Sequence, residues 1–96
     1  MQYNIPDRVR RELTKIAQDH RIEKIILFGS RARGTQRERS DIDIAVSGGD
    51  VDGFYWDVKE KIHSLLMFDI VDMNRSVSDE LKEEIKRDGV ILYEKV

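Results

Sequence analysis

The sequence contains no cysteine and only one proline among its 96 residues. Without cysteine, neither a disulfide bond nor a thiolate metal site can form, and the chain needs no oxidising compartment. Long apolar runs are also missing, because the longest, such as those at 25–28 and 65–68, are far too short to cross a bilayer. The first residues lack a basic segment followed by an apolar one, so no signal peptide is predicted. We therefore expect a cytoplasmic protein without a membrane partner.

The sequence also lacks a large net charge, because its basic and acidic residues are nearly equal in number. The chain has 17 basic and 19 acidic residues, which gives a net charge of −2. This balance offers no global electrostatic reason to expect nucleic acid or a membrane surface as a partner. A chain of this length can build one domain, spanning residues 1–96, around a single modest core.

Apolar residues recur at helical or strand spacing along the chain, so the order of the elements can be predicted. The predicted elements are a helix over 6–19, a strand over 22–28, a helical turn over 30–33, a strand over 41–46, a helix over 50–66, a strand over 67–73, a helix over 78–88 and a short extended segment over 90–93. This order predicts a small α/β (α+β) domain in which helices pack on one face of a mixed sheet. The other face could stay open.

Two aspartates, Asp41 and Asp43, stand two residues apart in the second predicted strand. Because side chains alternate between the faces of a strand, both carboxylates point the same way, toward the open face. Exposed edge strands often carry such charges to discourage aggregation. Here the residues between and after them, Ile42 and Ile44, are apolar, and a charge in such a strand is costly without a counter-ion. The pair therefore indicates a site rather than a solvated edge.

A third aspartate, Asp69, lies between Phe68 and Ile70 in the third predicted strand. Asp72 competes with it, and only one of the two can face the other carboxylates because they lie on opposite faces of a strand. We favour Asp69 and assign Asp72 to the end of the strand. Converging carboxylates with no His or Cys nearby favour Mg²⁺ or Mn²⁺ over zinc. Two Mg²⁺ ions would relieve the repulsion and clamp the oxygens of a phosphoryl displacement.

A glycine–serine turn, Gly29-Ser30, follows the first strand, and its backbone N–H groups can face a phosphate without obstruction by a side chain. Arg31 and Arg33 could neutralise phosphate charge, or one could pair with a neighbouring carboxylate. For Arg33 both interpretations stay open. An outward Trp56 would be a potential contact with a partner. The other candidates are interpreted as ordinary surface or core residues: Arg37, Arg39, His20, His63 and Tyr55.

Taken together, these motifs resemble those of the minimal nucleotidyltransferases of the DNA polymerase beta superfamily. The matching residues are Gly29-Ser30-x-Ala32-Arg33-Gly34, then Ser40-Asp41-x-Asp43-Ile44, then Asp69 in an apolar strand. The resemblance covers nearly the whole chain and implies the polymerase beta-like nucleotidyltransferase fold. It implies that Gly29, Ser30 and Arg33 bind a nucleoside triphosphate and that the three aspartates bind two Mg²⁺ ions. It also implies transfer of a nucleoside monophosphate to a hydroxyl, with release of pyrophosphate.

The resemblance implies a protein partner too. Minimal nucleotidyltransferases are often paired with a helical HEPN toxin, which they neutralise by AMP transfer to a tyrosine. Larger relatives carry an added domain that holds the acceptor, and we expect such contacts to come from a partner here. The expected function is an antitoxin-like protein adenylyltransferase with ATP as substrate. Two alternatives remain: a non-catalytic binding module, or transfer to a small molecule or an RNA end. The oligomeric state stays open.

Overall fold

The computed structural model describes residues 5–35, 41–62 and 67–95. Within these ranges helices and strands alternate in the predicted order. The elements are α1 (Asp7–Asp19), β1 (Lys24–Phe28), α2 (Ser30–Arg33), β2 (Ile42–Ser47), α3 (Val51–Lys61), β3 (Phe68–Asp72), α4 (Asp79–Asp88) and β4 (Val90–Glu94). The third helix is shorter than predicted, because Ile62 is already extended; its other predicted residues, 63–66, lie outside the described part of the chain.

The strands form one mixed sheet in the order β3-β2-β1-β4. β1 runs antiparallel to both β2 and β4, whereas β2 and β3 are parallel. Side-chain caps fix the start of two helices: Asp50 accepts a hydrogen bond from the Gly53 N–H at 3.0 Å, and Ser78 accepts one from the Leu81 N–H at 3.2 Å. The caps set where α3 and α4 leave the sheet.

One face of the sheet carries the main core. Apolar stripes of α1 and α3 pack there against alternate residues of β1 and β2. Its largest fully buried members are Phe54, Leu13, Ile22, Ile25, Leu27, Ile42 and Ile44. No helix in the described part of the chain combines the length and the apolar character that a membrane crossing needs.

The second face is not open along its whole length. Ile85 of α4 is buried against Phe28 of β1 and Ala45 of β2, and Leu81 packs at the margin of this smaller cluster. The two apolar residues lie four positions apart, so they project from the same side of the helix. The predicted fold class is confirmed. The expectation that helices pack on one face only is wrong, because α4 covers part of the face on which the aspartates lie.

Candidate active site

Asp43 of β2 and Asp69 of β3 are direct neighbours across the parallel strand pair. On its other side Asp43 is paired with Phe28 of β1. Residues paired in this way project to the same face of the sheet, and here it is the face covered in part by α4. Ile42 and Ile44, on either side of Asp43 in the chain, are completely buried on the opposite face. The register between β2 and β3 therefore brings together two of the three carboxylates that were expected to converge.

The electrostatics of Asp43 show that this part of the protein has an excess of negative charge. The pKa of Asp43 is raised to about 6, first by burial and then by the negative charges of Asp69, Asp41 and Glu84. The positive charge of Arg33 acts in the opposite direction and is the smallest of the contributions. A cation bound beside Asp43 would favour the ionised carboxylate. The negative charge of these carboxylates is therefore suited to binding a cation.

The third predicted ligand, Asp41, immediately precedes β2 and is exposed. Among residues 5–35, 41–62 and 67–95, no three His, Cys, Asp or Glu side chains are gathered closely enough to form a ready-made metal site. The donor set still fits Mg²⁺, because it consists of carboxylate oxygens carrying uncompensated negative charge. The carboxylates would have to close around the ion as it binds.

Gly29 links β1 to α2 and lies directly over the carboxylate of Asp43. Its φ of 74° is in the left-handed region, and an added Cβ would collide with Asp43 Oδ2. The carbonyl of Gly29 accepts hydrogen bonds from the N–H groups of Ala32 and Arg33, each at 3.1 Å, which turn the chain into α2. Ser30 is the first residue of α2 and is half-buried. The predicted phosphate-binding turn therefore adjoins the carboxylates.

The two arginines of α2 differ in accessibility. Arg31 is buried, whereas the side chain of Arg33 is 41% exposed. Arg33 donates from Nη1 to Oδ2 of Asp88 at 3.1 Å, so the pairing predicted as one of its two alternatives is present. Arg87 also pairs with Asp88, and the hydrogen bonds from Arg87, followed by that from Arg33, lower the pKa of Asp88.

Two acidic residues near the site, Glu84 and Asp88, were not identified from the sequence. They stand four positions apart on α4 and therefore share one side of the helix. Glu84 raises the pKa of Asp43, and Asp88 pairs with Arg33. Their position beside Ile85, the buried residue of α4, was the only available signal. It shows that both are near the packed side of α4 but not which part of the sheet they meet.

Asp72 has the role predicted for it. It is the last residue of β3 and lies on the face opposite Asp69. Its carboxylate accepts a hydrogen bond from the Asn74 N–H at 2.9 Å and forms an ion pair with Arg75 at 3.2 Å. These contacts fix the turn after β3.

His20 differs from its prediction as an ordinary surface residue. Its side chain is only 20% exposed, and its Nε2 lies 2.6 Å from Oδ2 of Asp57 in α3. The ring therefore joins the end of α1 to α3. Trp56 is 66% exposed as predicted, whereas Tyr55 is half-buried and meets it edge-on. The remaining residues singled out from the sequence lie outside the described ranges: Arg37, Arg39, Ser40 and His63.

This fold and the placement of the motifs agree with comparisons against known proteins. The sequence profile of the family described as "Polymerase beta, Nucleotidyltransferase" matches residues 11–96. The chain therefore belongs to the polymerase beta nucleotidyltransferase family. The resemblance predicted from the glycine–serine turn and the aspartates is confirmed.

Comparisons with individual proteins show which members of the family the chain resembles. Protein adenylyltransferase MntA of Shewanella oneidensis is 36% identical over an alignment of 88 residues that covers 85% of this chain and 63% of MntA. The chain thus spans less than two thirds of that relative's length. A crystal structure of a toxin–antitoxin with AMP-PNP superposes with a TM-score of 0.70 at 32% identity, over 90% of this chain and 73% of the other.

A second solved structure is that of the toxin–antitoxin MntA–HpeT. It superposes with a TM-score of 0.69 at 29% identity, over 90% of this chain and 73% of the other. That protein carries two aspartate-to-glutamate substitutions at positions two residues apart. The spacing is the same as that between Asp41 and Asp43 here.

Proposed function

We propose that this protein transfers AMP from ATP to a hydroxyl group, with Mg²⁺ as cofactor. The observation that carries the proposal is the pairing of Asp43 with Asp69 on one face of the sheet, directly beside Gly29. The raised pKa of Asp43 supports it, because clustered carboxylates that share negative charge are what a cation-dependent phosphoryl site requires.

Each predicted residue has a role in this proposal. Asp41, Asp43 and Asp69 hold the metal, and the backbone around Gly29 and Ser30 faces the triphosphate. Two bound Mg²⁺ ions would neutralise phosphate charge and favour ionisation of the acceptor hydroxyl. The acceptor hydroxyl gives its proton to Asp69 or to water, and its oxygen bonds to the α-phosphorus. The bond to the bridging oxygen breaks, and pyrophosphate leaves with the electron pair.

The geometry of the sheet favours one side for the acceptor. Asp69 belongs to β3, which is an edge strand, whereas Asp43 lies between β3 and β1. On the β1 side, the approach to Asp43 is limited by Gly29 and by α4, which packs on this face. We therefore place the triphosphate near Gly29 and Arg33, and the acceptor near Asp69.

We further propose that the acceptor is a tyrosine of a HEPN-type toxin and that the protein acts as an antitoxin. The similarity to MntA, named a protein adenylyltransferase, supports a protein acceptor. The two solved relatives, both named toxin–antitoxin, support a toxin as the partner. The aspartate substitutions in one of them concern a pair with the spacing of Asp41 and Asp43. The exposed Trp56 on α3 is a candidate contact with the partner.

The proposal is tested by incubating the protein with Mg²⁺ and the toxin candidate encoded beside its gene, in parallel with ATP labelled at the α- or the γ-phosphate. Label from the α-phosphate alone should appear on a tyrosine of the partner. Asp43→Asn and Asp69→Asn should abolish it. Asp72→Asn is the matched control, because it removes the same charge from β3 on the opposite face and should leave labelling intact.

Two outcomes would contradict the proposal. A partner that stays unlabelled but is inhibited equally by the wild type and by Asp43→Asn would indicate a non-catalytic binding module. Label that appears from the γ-phosphate would indicate phosphorylation instead of AMP transfer.

A further inference from the structure

Asp88 and Arg33 come from distant parts of the chain and meet at one end of the sheet. Arg33 is the last residue of α2, which directly follows β1, and Asp88 is the last residue of α4, which directly precedes β4. Because β4 pairs with β1, with Val90 opposite Leu27, the end of α4 is brought beside the start of α2. The contact is therefore built into the topology of the sheet.

The contact has the features of a fixed ion pair. Asp88 Oδ2 accepts from Arg33 Nη1 at 3.1 Å, and only 11% of the Asp88 side chain is exposed. Arg87 donates from both Nε and Nη2 to the same carboxylate, at 3.2 and 3.1 Å. Hydrogen bonds from Arg87 and then Arg33 hold the pKa of Asp88 below its usual range, so the carboxylate stays ionised at neutral pH.

Arg33 stands one helical turn from Gly29, whose carbonyl accepts a hydrogen bond from the Arg33 N–H at 3.1 Å, and Gly29 lies against Asp43. The charge of Arg33 lowers the pKa of Asp43, in opposition to burial and the neighbouring carboxylates, so the guanidinium lies within electrostatic reach of the centre. It also remains 41% exposed. A guanidinium has five N–H donors, and the contact with Asp88 engages one nitrogen. Donors thus remain for a phosphate.

We infer that Asp88 is a positioning residue, which holds Arg33 in the orientation that binds the triphosphate. The inference rests on the proposed function. An arginine side chain loses considerable rotational freedom when it is fixed on a ligand. Asp88 has already restricted that freedom in the free protein, so nucleotide binding bears less of the cost. The same pair keeps the positive charge of Arg33 on the Gly29 side, away from the proposed acceptor position at Asp69.

The test measures binding of AMP-PNP with Mg²⁺ by calorimetry, which needs neither a partner nor turnover. Asp88→Asn should weaken binding about threefold to tenfold, the range expected when one long side chain must be ordered by the ligand. Asp88→Glu should restore part of the loss. Glu83→Gln is the matched control, since it removes one negative charge from an exposed position of α4 and should leave affinity unchanged.

A double-mutant cycle separates positioning from a general effect on the fold. Arg33→Ala should weaken binding at least as much as Asp88→Asn, and adding Asp88→Asn to Arg33→Ala should have no further effect. Equal losses in both backgrounds would show that Asp88 acts only through the fold, and would overturn the inference. Unchanged or tighter binding by Asp88→Asn alone would also overturn it.

Failure of the inference can be distinguished from failure of the proposed function. If the wild type does not bind AMP-PNP with Mg²⁺, the proposed function fails, and the positioning role fails with it. If the wild type binds but Asp88→Asn binds equally well, only the positioning role fails.

Discussion

A Cβ atom on Gly29 would lie against the carboxylate of Asp43, 3.1 Å from its Cγ and still closer to Oδ2. The turn after β1 and the metal-site strand β2 are thus in direct contact, with no room for a side chain between them. The left-handed φ of 74° at the same residue adds a second reason for glycine. One position therefore determines how close the proposed triphosphate can come to the proposed metal.

Gly29→Ala should abolish nucleotide binding, although it should lower the stability of the fold only in part. With φ 74° and ψ −157°, Gly29 occupies a region that is essentially restricted to glycine, so an L residue there costs about 1–3 kcal/mol. The new methyl group also displaces the Asp43 carboxylate. We expect binding of AMP-PNP with Mg²⁺ to fall below detection while the protein still folds. Urea unfolding and calorimetry on the same preparation provide the two measurements.

Gly34→Ala is the matched control for this prediction, because Gly34 has a similar φ of 79° at the end of α2 and is exposed. Gly34 has ψ 17°, in the left-handed helical region that other residues adopt more readily, so this variant should lose less stability than Gly29→Ala and should keep its affinity. Equal loss of affinity in both variants would show that backbone strain alone is responsible and that the contact with Asp43 is unimportant.

Asp43→Asn should stabilise the metal-free protein, but only at pH values at which Asp43 of the wild type is ionised. The folded-state pKa of about 6 exceeds the ordinary value of 3.8, so the folded state binds more protons than the unfolded state between these values. Stability is therefore lost as the pH rises from about 4 through 6, and the loss is fully present above that range. A shift of this size in a dry site would correspond to roughly 3 kcal/mol, and solvent screening at this half-buried group reduces our expectation to about 1 kcal/mol.

Urea unfolding of the wild type and Asp43→Asn at pH 4 and pH 8 would measure this dependence. The variant should be more stable at pH 8 and equal to the wild type at pH 4. A stabilisation of the same size at both pH values would point to a packing effect of the amide and contradict the electrostatic explanation.

Mg²⁺ should stabilise the folded protein through the same carboxylates. At tenfold excess over its Kd, a ligand that binds only the folded state adds about 1.4 kcal/mol, which raises the Tm of a chain of this size by roughly 5–10 °C. The shift should vanish in Asp43→Asn and persist in Asp72→Asn, whose carboxylate lies on the other face. It should also grow as the pH rises through about 6, because the ion competes with the proton on Asp43.

Chelation by EDTA should reverse the gain in Tm. An equal rise in Tm for the wild type and Asp43→Asn would place the ion elsewhere on the protein.

The strand alternation of Asp41 and Asp43 was predictable because it depends only on local sequence. A period of two predicts that their side chains share one face. In the structure Asp41 immediately precedes β2, and its negative charge contributes to the raised pKa of Asp43. The partnership of Asp43 with Asp69 is different, since it depends on the pairing and register of β2 and β3, which come from sheet assembly. The apolar residues beside Asp69 and the family resemblance both indicated that Asp69 belongs to the site, but neither gives the register that places it beside Asp43.

The roles of α4 and His20 could not be predicted from the local sequence. Leu81 and Ile85 show that α4 is amphipathic, but nothing in their spacing says that it packs beside the aspartates. Glu84 and Asp88 were therefore indistinguishable from solvated charges. The contact of His20 with Asp57 joins residues 37 positions apart, and only the packing of α1 against α3 brings them together.

This contact leads to a prediction about stability away from the site. The hydrogen bond with His20, and after it the interaction with Lys61, lower the pKa of Asp57. Ionised Asp57 therefore contributes stability above its ordinary pKa of 3.8, and the contribution is lost as the pH falls through the lower folded-state value. At pH 7, Asp57→Asn should lower the Tm, and the difference from the wild type should shrink in strong acid. His20→Ala should lower the Tm as well, because the ring links α1 to α3.

Asp52→Asn is the control on the same helix, since its carboxylate is 76% exposed and pairs with an equally exposed Arg75 at 3.6 Å. Its Tm should remain close to that of the wild type. Thermal melts followed by circular dichroism at pH 7 and at pH 3 would compare the three variants. If Asp57→Asn and Asp52→Asn were equally destabilising at pH 7, the contact between His20 and Asp57 would have no special part in joining the two helices. Because this contact lies beyond the end of β1 opposite to Gly29, its loss should leave the affinity for AMP-PNP with Mg²⁺ unchanged.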